Sequence, residues 1–230
     1  MERSFYNWQL KAYNKIYEKN SVLSAPTGAG KTLVAYLWAG LLTTEGKTQM
    51  PEGISRIIFT APIKALSNER YMDLRRMGFD VGIETGDFKR NEEAPIICCT
   101  QEIYTLKYTK EPHQKLIIDE FHYIFEDPDR ARTYIDGIRE TAPTTSILVM
   151  SATFSQPGVI GRYLETITER SFTVYESQER VTELVYVPKK PAQLFSVHDA
   201  LVFVFSQRGT MDLAYTIART RRRLPREQRS

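Results

Sequence analysis

Two kinds of run share out the apolar and polar positions of this chain. Some short stretches are apolar almost without a break, as in Ile57-Ile58-Phe59 and Leu116-Ile117-Ile118. Between them lie longer segments in which apolar residues return every three or four positions. Strands covered on both faces read in the first way, and amphipathic helices in the second. The pattern predicts strands over residues 21–25, 56–61, 80–84, 95–100, 115–119, 146–151 and 171–175. It predicts helices over 31–43, 66–77, 101–108, 130–141 and 157–166. Regular exchange of strand and helix predicts an α/β domain, a parallel sheet with helices on both faces.

The pattern weakens after residue 177. Pro188, Lys189, Lys190 and Pro191 suit a linker over 178–198. A fresh apolar run, Ala200 to Phe205, then precedes a helical pattern that extends to about Thr220. One strand and one helix bury no core by themselves. The expected organisation is a first domain over 1–177, a linker, and the opening of a second domain with a basic tail over 199–230.

Composition changes this picture little. Of the 230 residues, 42% are hydrophobic and 26% charged, enough apolar material for a globular core. The net charge is +3, but six arginines and one glutamate lie between Arg219 and Ser230, so the rest of the chain is slightly negative. A body so close to neutral lacks the basic signature of a strong nucleic-acid binder. The two cysteines, Cys98 and Cys99, are adjacent and have no other thiol to pair with. That points to a reducing compartment such as the cytoplasm, with both thiols as small core residues. No apolar stretch has the length to span a bilayer.

The strongest chemical signal is Ala25-Pro26-Thr27-Gly28-Ala29-Gly30-Lys31-Thr32, between a predicted strand and a predicted helix. In that context it reads as a phosphate loop. Gly28 and Gly30 permit a tight turn that aims backbone N–H groups inward, and the helix start adds a dipole favourable to phosphate. Thr27 and Ala29 complete the cradle. Lys31 can reach the β- and γ-phosphates, and the Thr32 hydroxyl can ligate Mg²⁺. Ala25 stands where the general pattern has glycine. The second half of the site is Asp119-Glu120-Phe121-His122, at the end of a predicted strand. Asp119 would hold Mg²⁺ and Glu120 would polarise the attacking water. Together they predict ATP and Mg²⁺ as ligands, with Lys31, Asp119 and Glu120 catalytic.

A phosphate loop, then Asp-Glu-x-His, then Ser151-Ala152-Thr153, resembles a superfamily 2 DExH helicase with a RecA-like fold. The run Ala61-Pro62-Ile63-Lys64-Ala65-Leu66-Ser67-Asn68-Glu69-Arg70 looks like motif Ia of the Ski-like group. Thr85-Gly86-Asp87, Thr100-Gln101-Glu102 and Phe203-Val204-Phe205-Ser206-Gln207-Arg208 resemble later motifs in order. The resemblance implies that Ser151, Thr153 and His122 couple hydrolysis to movement, His122 through a bond towards a partner domain. It implies that Gln9 reads the adenine edge, with Phe5 or Tyr6 packed nearby; an ordinary amphipathic helix is the alternative there. It places Pro62, Lys64, Asn68, Thr85, Gly86, Thr100 and Glu102 along a path for single-stranded RNA or DNA, with Arg70 and Arg208 as further sources of charge.

Motifs V and VI of the family's second RecA-like domain are missing from these 230 residues. The implied function is an ATP-dependent nucleic-acid helicase, RNA preferred over DNA, with weak turnover in this chain for want of the second domain. The alternatives are a lone nucleotide-binding module, a DNA helicase, and a phosphate-loop kinase that would have no use for motif Ia.

Overall fold

The computed structural model describes residues 4–125, 128–152, 156–180, 202–204 and 206–221. The chain divides into two compact units, Met1–Val181 and Thr182–Ser230.

The first unit is an eight-stranded sheet with helices on both faces, the predicted α/β class. Its strands are β1 (Ser21–Ser24), β2 (Arg56–Ala61), β3 (Val81–Thr85), β4 (Phe88–Arg90), β5 (Ile96–Thr100), β6 (Gln114–Ile118), β7 (Ser146–Ser151) and β8 (Thr173–Glu176). The order across the sheet is β4-β3-β5-β2-β6-β7-β1-β8. Every pairing is parallel except β3 with β4. The helices are α1 (Asn7–Ile16), α2 (Lys31–Ala39), α3 (Lys64–Arg76), α4 (Gln101–Lys107), α5 (Pro128–Glu140) and α6 (Pro157–Thr168), with a short 3₁₀ turn over Phe121–Phe125.

The central strands are apolar throughout because each feeds two cores. Ile96 and Cys98 of β5 face the core under α1, α2 and α3, and Ile97 and Cys99 face the one under α4, α5 and α6. Leu148 and Met150 of β7 alternate with Ile147 and Val149 in the same way. Strict period-two packing therefore makes these strands intolerant of polar residues on either face. Both cysteines are free and buried, and burial pushes both thiols well above their ordinary pKa.

Several elements depart from the sequence pattern. The helix expected over 31–43 stops at Ala39, because Gly40 takes a left-handed conformation (φ 81°) and its N–H closes on Tyr36 and Leu37 carbonyls. Leu41 and Leu42 prolong the apolar pattern but belong to the loop. β4 has no apolar run to announce it; the turn after Thr85 folds it back antiparallel on β3. α3 and α5 each start two residues before the predicted helix, and β8 starts two residues after the predicted strand.

Strand order places the chemistry. β1 and β2 are successive in sequence, yet β6 and β7 lie between them. The chain after β1 enters α2 on one face, whereas the chain after β6 leads into α5 on the other. Such a reversal opens a crevice at the carboxyl ends of the strands.

In the second unit, α7 (Gln207–Arg221) follows Ser206, whose hydroxyl accepts the Gly209 N–H at 3.0 Å. Residues 202–204 form no strand. Ala200, Leu201 and Phe205 of the expected strand lie outside the described residues, as does most of the expected linker.

Candidate functional site

The phosphate loop leaves the end of β1 and passes into α2. Gly28 (φ 78°) and Gly30 (φ 92°) both occupy left-handed backbone, which a side chain would strain. A Cβ on Gly30 would also lie 2.5 Å from Nε2 of Gln9. The Ala25 N–H donates to the Ser151 carbonyl on neighbouring β7 at 3.4 Å, which ties the loop's first residue to the sheet. Lys31 opens α2 and is only 8% exposed. Its ammonium donates back to the carbonyls of Ala25 (2.9 Å) and Pro26 (3.3 Å). Burial lowers its pKa, and the nearby Glu120 and Asp119 carboxylates partly restore it. A phosphate oxygen would replace those two carbonyls as its partner.

β6 delivers the acidic pair. The Asp119 N–H donates to Thr60 of β2 at 2.9 Å, so the residue is held at the sheet edge. Its Oδ1 accepts the Glu120 N–H at 3.0 Å, and its Oδ2 accepts from the Arg70 guanidinium at 3.1 Å. Glu120 has left-handed backbone (φ 50°), a conformation that costs a non-glycine residue energy and recurs where function demands it. Its Oε2 is buried and makes no hydrogen bond of acceptable angle. Nδ1 of His122 lies 3.3 Å from that oxygen but bonds Oγ of Ser151 at 3.1 Å. Ser151 therefore touches both halves of the site, the loop through its carbonyl and the acidic segment through its hydroxyl. The resemblance assigned His122 a bond towards another domain; within this unit its Nδ1 faces Ser151. Thr153 lies outside the described residues.

Gln9 is fully buried. Its Nε2 donates to the Gly30 carbonyl at 3.0 Å, and its Oε1 accepts the Tyr6 N–H at 2.8 Å. It thus clamps the start of α1 onto the phosphate loop, with no solvent-facing amide to offer a base. Phe5 is half-buried against the α1–α2 core, and Tyr6 is exposed. Gln9 therefore lies on the buried side of an amphipathic helix, and its side-chain amide is taken up by the phosphate loop and the Tyr6 N–H.

The neighbouring strands carry a groove of about 530 Å³. Pro62, Lys64, Gly86, Thr100 and Glu102 line it, five of the seven residues singled out by resemblance. Asn68 is exposed one turn beyond Lys64 on α3. Thr85 is buried, and its hydroxyl donates within the turn to Asp87 at 3.1 Å. Lys64 pairs with Asp87 at 2.8 Å, both side chains being more than half exposed. That pairing holds the Asp87 carboxyl below its usual range. Arg130 also lines the groove, donating to the Pro62 carbonyl at 3.0 Å. The sequence reading passed over it because it lies 28 or more residues from any motif segment it meets. Arg70, named with Arg208 as a further source of charge, is bound to Asp119. Its spacing from Ser67 and Leu74, both buried, marks α3's inward side.

The donor set fits a nucleotide with Mg²⁺. Left-handed glycines, the N-terminus of α2 and a buried lysine come together in the loop, and Thr32 follows Lys31 in the first turn of α2. Among the described residues no group of three or more His, Cys, Asp or Glu could hold a metal alone. Mg²⁺ suits such a place, because it takes one or two protein oxygens and completes its shell with phosphates and water. Among the described residues no helix is long and apolar enough to cross a membrane.

Residues 6–159 match the model of the DEAD/DEAH box helicase family. The chain is 29% identical over 202 residues to the probable helicase HelY of Mycobacterium tuberculosis, covering 84% of this chain and 21% of HelY. It is 29% identical over 205 residues to superkiller complex protein 2 of Mus musculus, covering 84% of this chain and 16% of that protein. The chain thus spans about a fifth of the length of these relatives. Its fold is similar to that of the Mycobacterium smegmatis helicase Lhr bound to single-stranded DNA and AMP-PNP (TM-score 0.58, 23% identity, 74% of this chain and 25% of Lhr). It is also similar to Saccharomyces cerevisiae Dbp5 bound to RNA and ADP BeF3 (TM-score 0.56, 18% identity, 75% of this chain and 46% of Dbp5). The chain belongs to the DEAD/DEAH box helicases, in their Ski-like DExH group.

Proposed function

We propose that this chain is the ATP-binding half of a helicase that moves along single-stranded nucleic acid, RNA in preference to DNA. The observation that carries this reading is the double role of Ser151, which bonds both the phosphate loop and the Asp119–His122 segment. One residue of β7 thereby senses both parts of the ATP site. The preference for RNA draws on relatives such as the DExH-box ATP-dependent RNA helicase DExH15 of Arabidopsis thaliana, 27% identical over 204 residues.

The ATP triphosphate would lie across the N–H groups of Thr27 to Thr32, with Lys31 turned from its loop carbonyls onto the terminal phosphates. Thr32 and Asp119 would hold Mg²⁺, which when bound offsets the negative charge on the phosphates. Glu120, with one oxygen free of hydrogen bonds, would orient water for in-line attack on the γ-phosphorus and accept its proton. Gln9 would keep the loop in shape for the nucleotide. The groove from Pro62 to Arg130 would hold the sugar–phosphate backbone, a contact that carries no sequence information. A second RecA-like domain would close over the ATP and supply the charge this unit lacks, so that binding and hydrolysis drive closure and reopening.

ATP binding and turnover by the wild type and Glu120→Gln, each with and without single-stranded RNA or DNA, test the proposal. Both proteins should bind ATP in the presence of Mg²⁺. Turnover should fall by about 100-fold or more in the variant. A wild type that binds no nucleotide, or a Glu120→Gln variant that turns over normally, would sink it.

A further inference from the structure

The side chain of Arg70 is out of place for a residue on a nucleic-acid-binding helix. α3 carries Lys64 and Asn68 at its exposed start, but Ser67, Tyr71 and Leu74 face the core. Arg70 shares that inward side. Its Nη2 donates to Oδ2 of Asp119 at 3.1 Å, and its Nη1 donates to the Tyr36 hydroxyl on α2 at 3.1 Å. The guanidinium also lies over the Tyr36 ring, 5.6 Å from its centre. Tyr36 in turn donates to Oδ2 of Asp73 at 2.7 Å. Three elements thus converge on one cation, whose nearer carboxylate is Asp119 at 3.1 Å and whose farther one is Asp73 at 4.0 Å.

This ion pair is not a loose surface contact. The Arg70 and Asp119 side chains are 17% and 18% exposed. Beside them is a void of about 10 Å³ bounded by Thr60, Ser67, Arg70 and Asp119, room for a single water. In such surroundings charges are weakly screened and act over several ångströms. A lysine could not take Arg70's place fully, since one ammonium on a flexible stem lacks the planar fork that reaches Tyr36 and Asp119 together.

We propose that Arg70 is the resident counter-charge of Asp119, standing in for the divalent cation and setting how strongly ATP binding depends on Mg²⁺. Two consequences of the charge act in the same direction. Without metal, Arg70 cancels a carboxylate that would otherwise repel the triphosphate. With metal, Arg70 opposes the arrival of a second, doubly charged cation. Arg70 is therefore a positioning residue, acting through Asp119. The inference rests on the assignment of Asp119 to Mg²⁺.

The test is ATP affinity in excess Mg²⁺ and in EDTA, measured by calorimetry on the wild type, Arg70→Gln, Arg70→Lys, and Arg70→Gln combined with Asp119→Asn. The ratio of the two affinities should rise about tenfold in Arg70→Gln. It should stay within about threefold of wild type in Arg70→Lys, which keeps the charge. In the Asp119→Asn background the Arg70→Gln effect should vanish, because the pair is already broken. Thermal unfolding checks that each variant is folded, and Arg70→Met, which keeps the apolar stem, replaces Arg70→Gln if the latter is not. An unchanged or lowered ratio in a folded neutral variant overturns the inference. A wild type whose ATP binding ignores Mg²⁺ overturns the metal assignment instead, and the inference with it.

Discussion

The carboxyl edge of the sheet is built differently on its two sides. Over β6, β7 and β1, polar groups are buried and, Oε2 of Glu120 excepted, held by others: Lys31 by loop carbonyls, Asp119 by Arg70, Gln9 by Gly30. Over β3, β5 and β2, the Lys64 and Asp87 pair stands in solvent, with side chains 58% and 68% exposed. On the proposed function, the first side would meet phosphate and water with groups largely fixed in advance, Lys31 alone having to exchange its loop carbonyls for phosphate. The second side offers adaptable charge along a groove, which suits a polymer whose backbone repeats and whose sequence is not read. A motor needs both: a fixed reaction centre and a surface that can release and take hold again.

The largest break in this comparison should come from Lys31→Ala. It should lower ATP affinity by about 100-fold or more, as expected when a buried charged partner is removed, with little change in circular dichroism. Next are the loop glycines. Gly28→Ala and Gly30→Ala both force a side chain into left-handed backbone, at about 1–2 kcal/mol each. Only Gly30→Ala also drives a methyl group into Gln9. Denaturant unfolding should therefore show Gly30→Ala as the less stable of the two, and a Gln9→Ala background should close the gap. Equal losses would mean that Gln9 does not clamp the loop.

On the open side the effects are smaller. Lys64→Ala should weaken single-stranded RNA binding about threefold and reduce the salt dependence by about one unit of slope, as for one phosphate contact. Stability should hardly change, because an exposed ion pair contributes about 1 kcal/mol or less. The smallest effect concerns pH. Burial places the folded pKa of Lys31 below 10.5. Between that lowered value and 10.5 the unfolded chain holds more protons than the folded one, so this residue makes stability rise with pH across that window. Without nucleotide, Lys31→Met should flatten the rise relative to wild type in alkaline denaturation series; parallel curves would contradict a buried ammonium whose charge is only partly compensated.

Much of the preorganised side was readable from sequence because its parts are local. The loop from Ala25 to Thr32 and the pair Asp119-Glu120 each sit at the end of an apolar strand, and strand-then-turn-then-helix is a pattern a few residues long. The fold class followed from the same runs, since Ile57, Ile58, Phe59 and their counterparts pack on both faces of the sheet. What escaped was decided at a distance. Arg70 meets Asp119 across 49 residues, and Tyr36 meets Arg70 across 34. β4 escaped because Phe88-Lys89-Arg90 lacks an apolar pattern and owes its pairing to the turn before it. Gly40, in contrast, announced a helix end that the apolar Leu41 and Leu42 concealed. On the open side, Thr85 was legible as part of a motif but not as a turn residue, because only the hairpin shows where its hydroxyl goes.

If the proposed function holds, the two sides of this edge bind different ligands through separate residues. The direct test is to measure, on Lys31→Ala and Lys64→Ala alike, the affinity for ATP with Mg²⁺ and the affinity for a single-stranded RNA. Lys31→Ala should lose ATP and keep RNA, while Lys64→Ala should keep ATP and weaken for RNA. Loss of both ligands in each folded variant, or of neither, would contradict this separation.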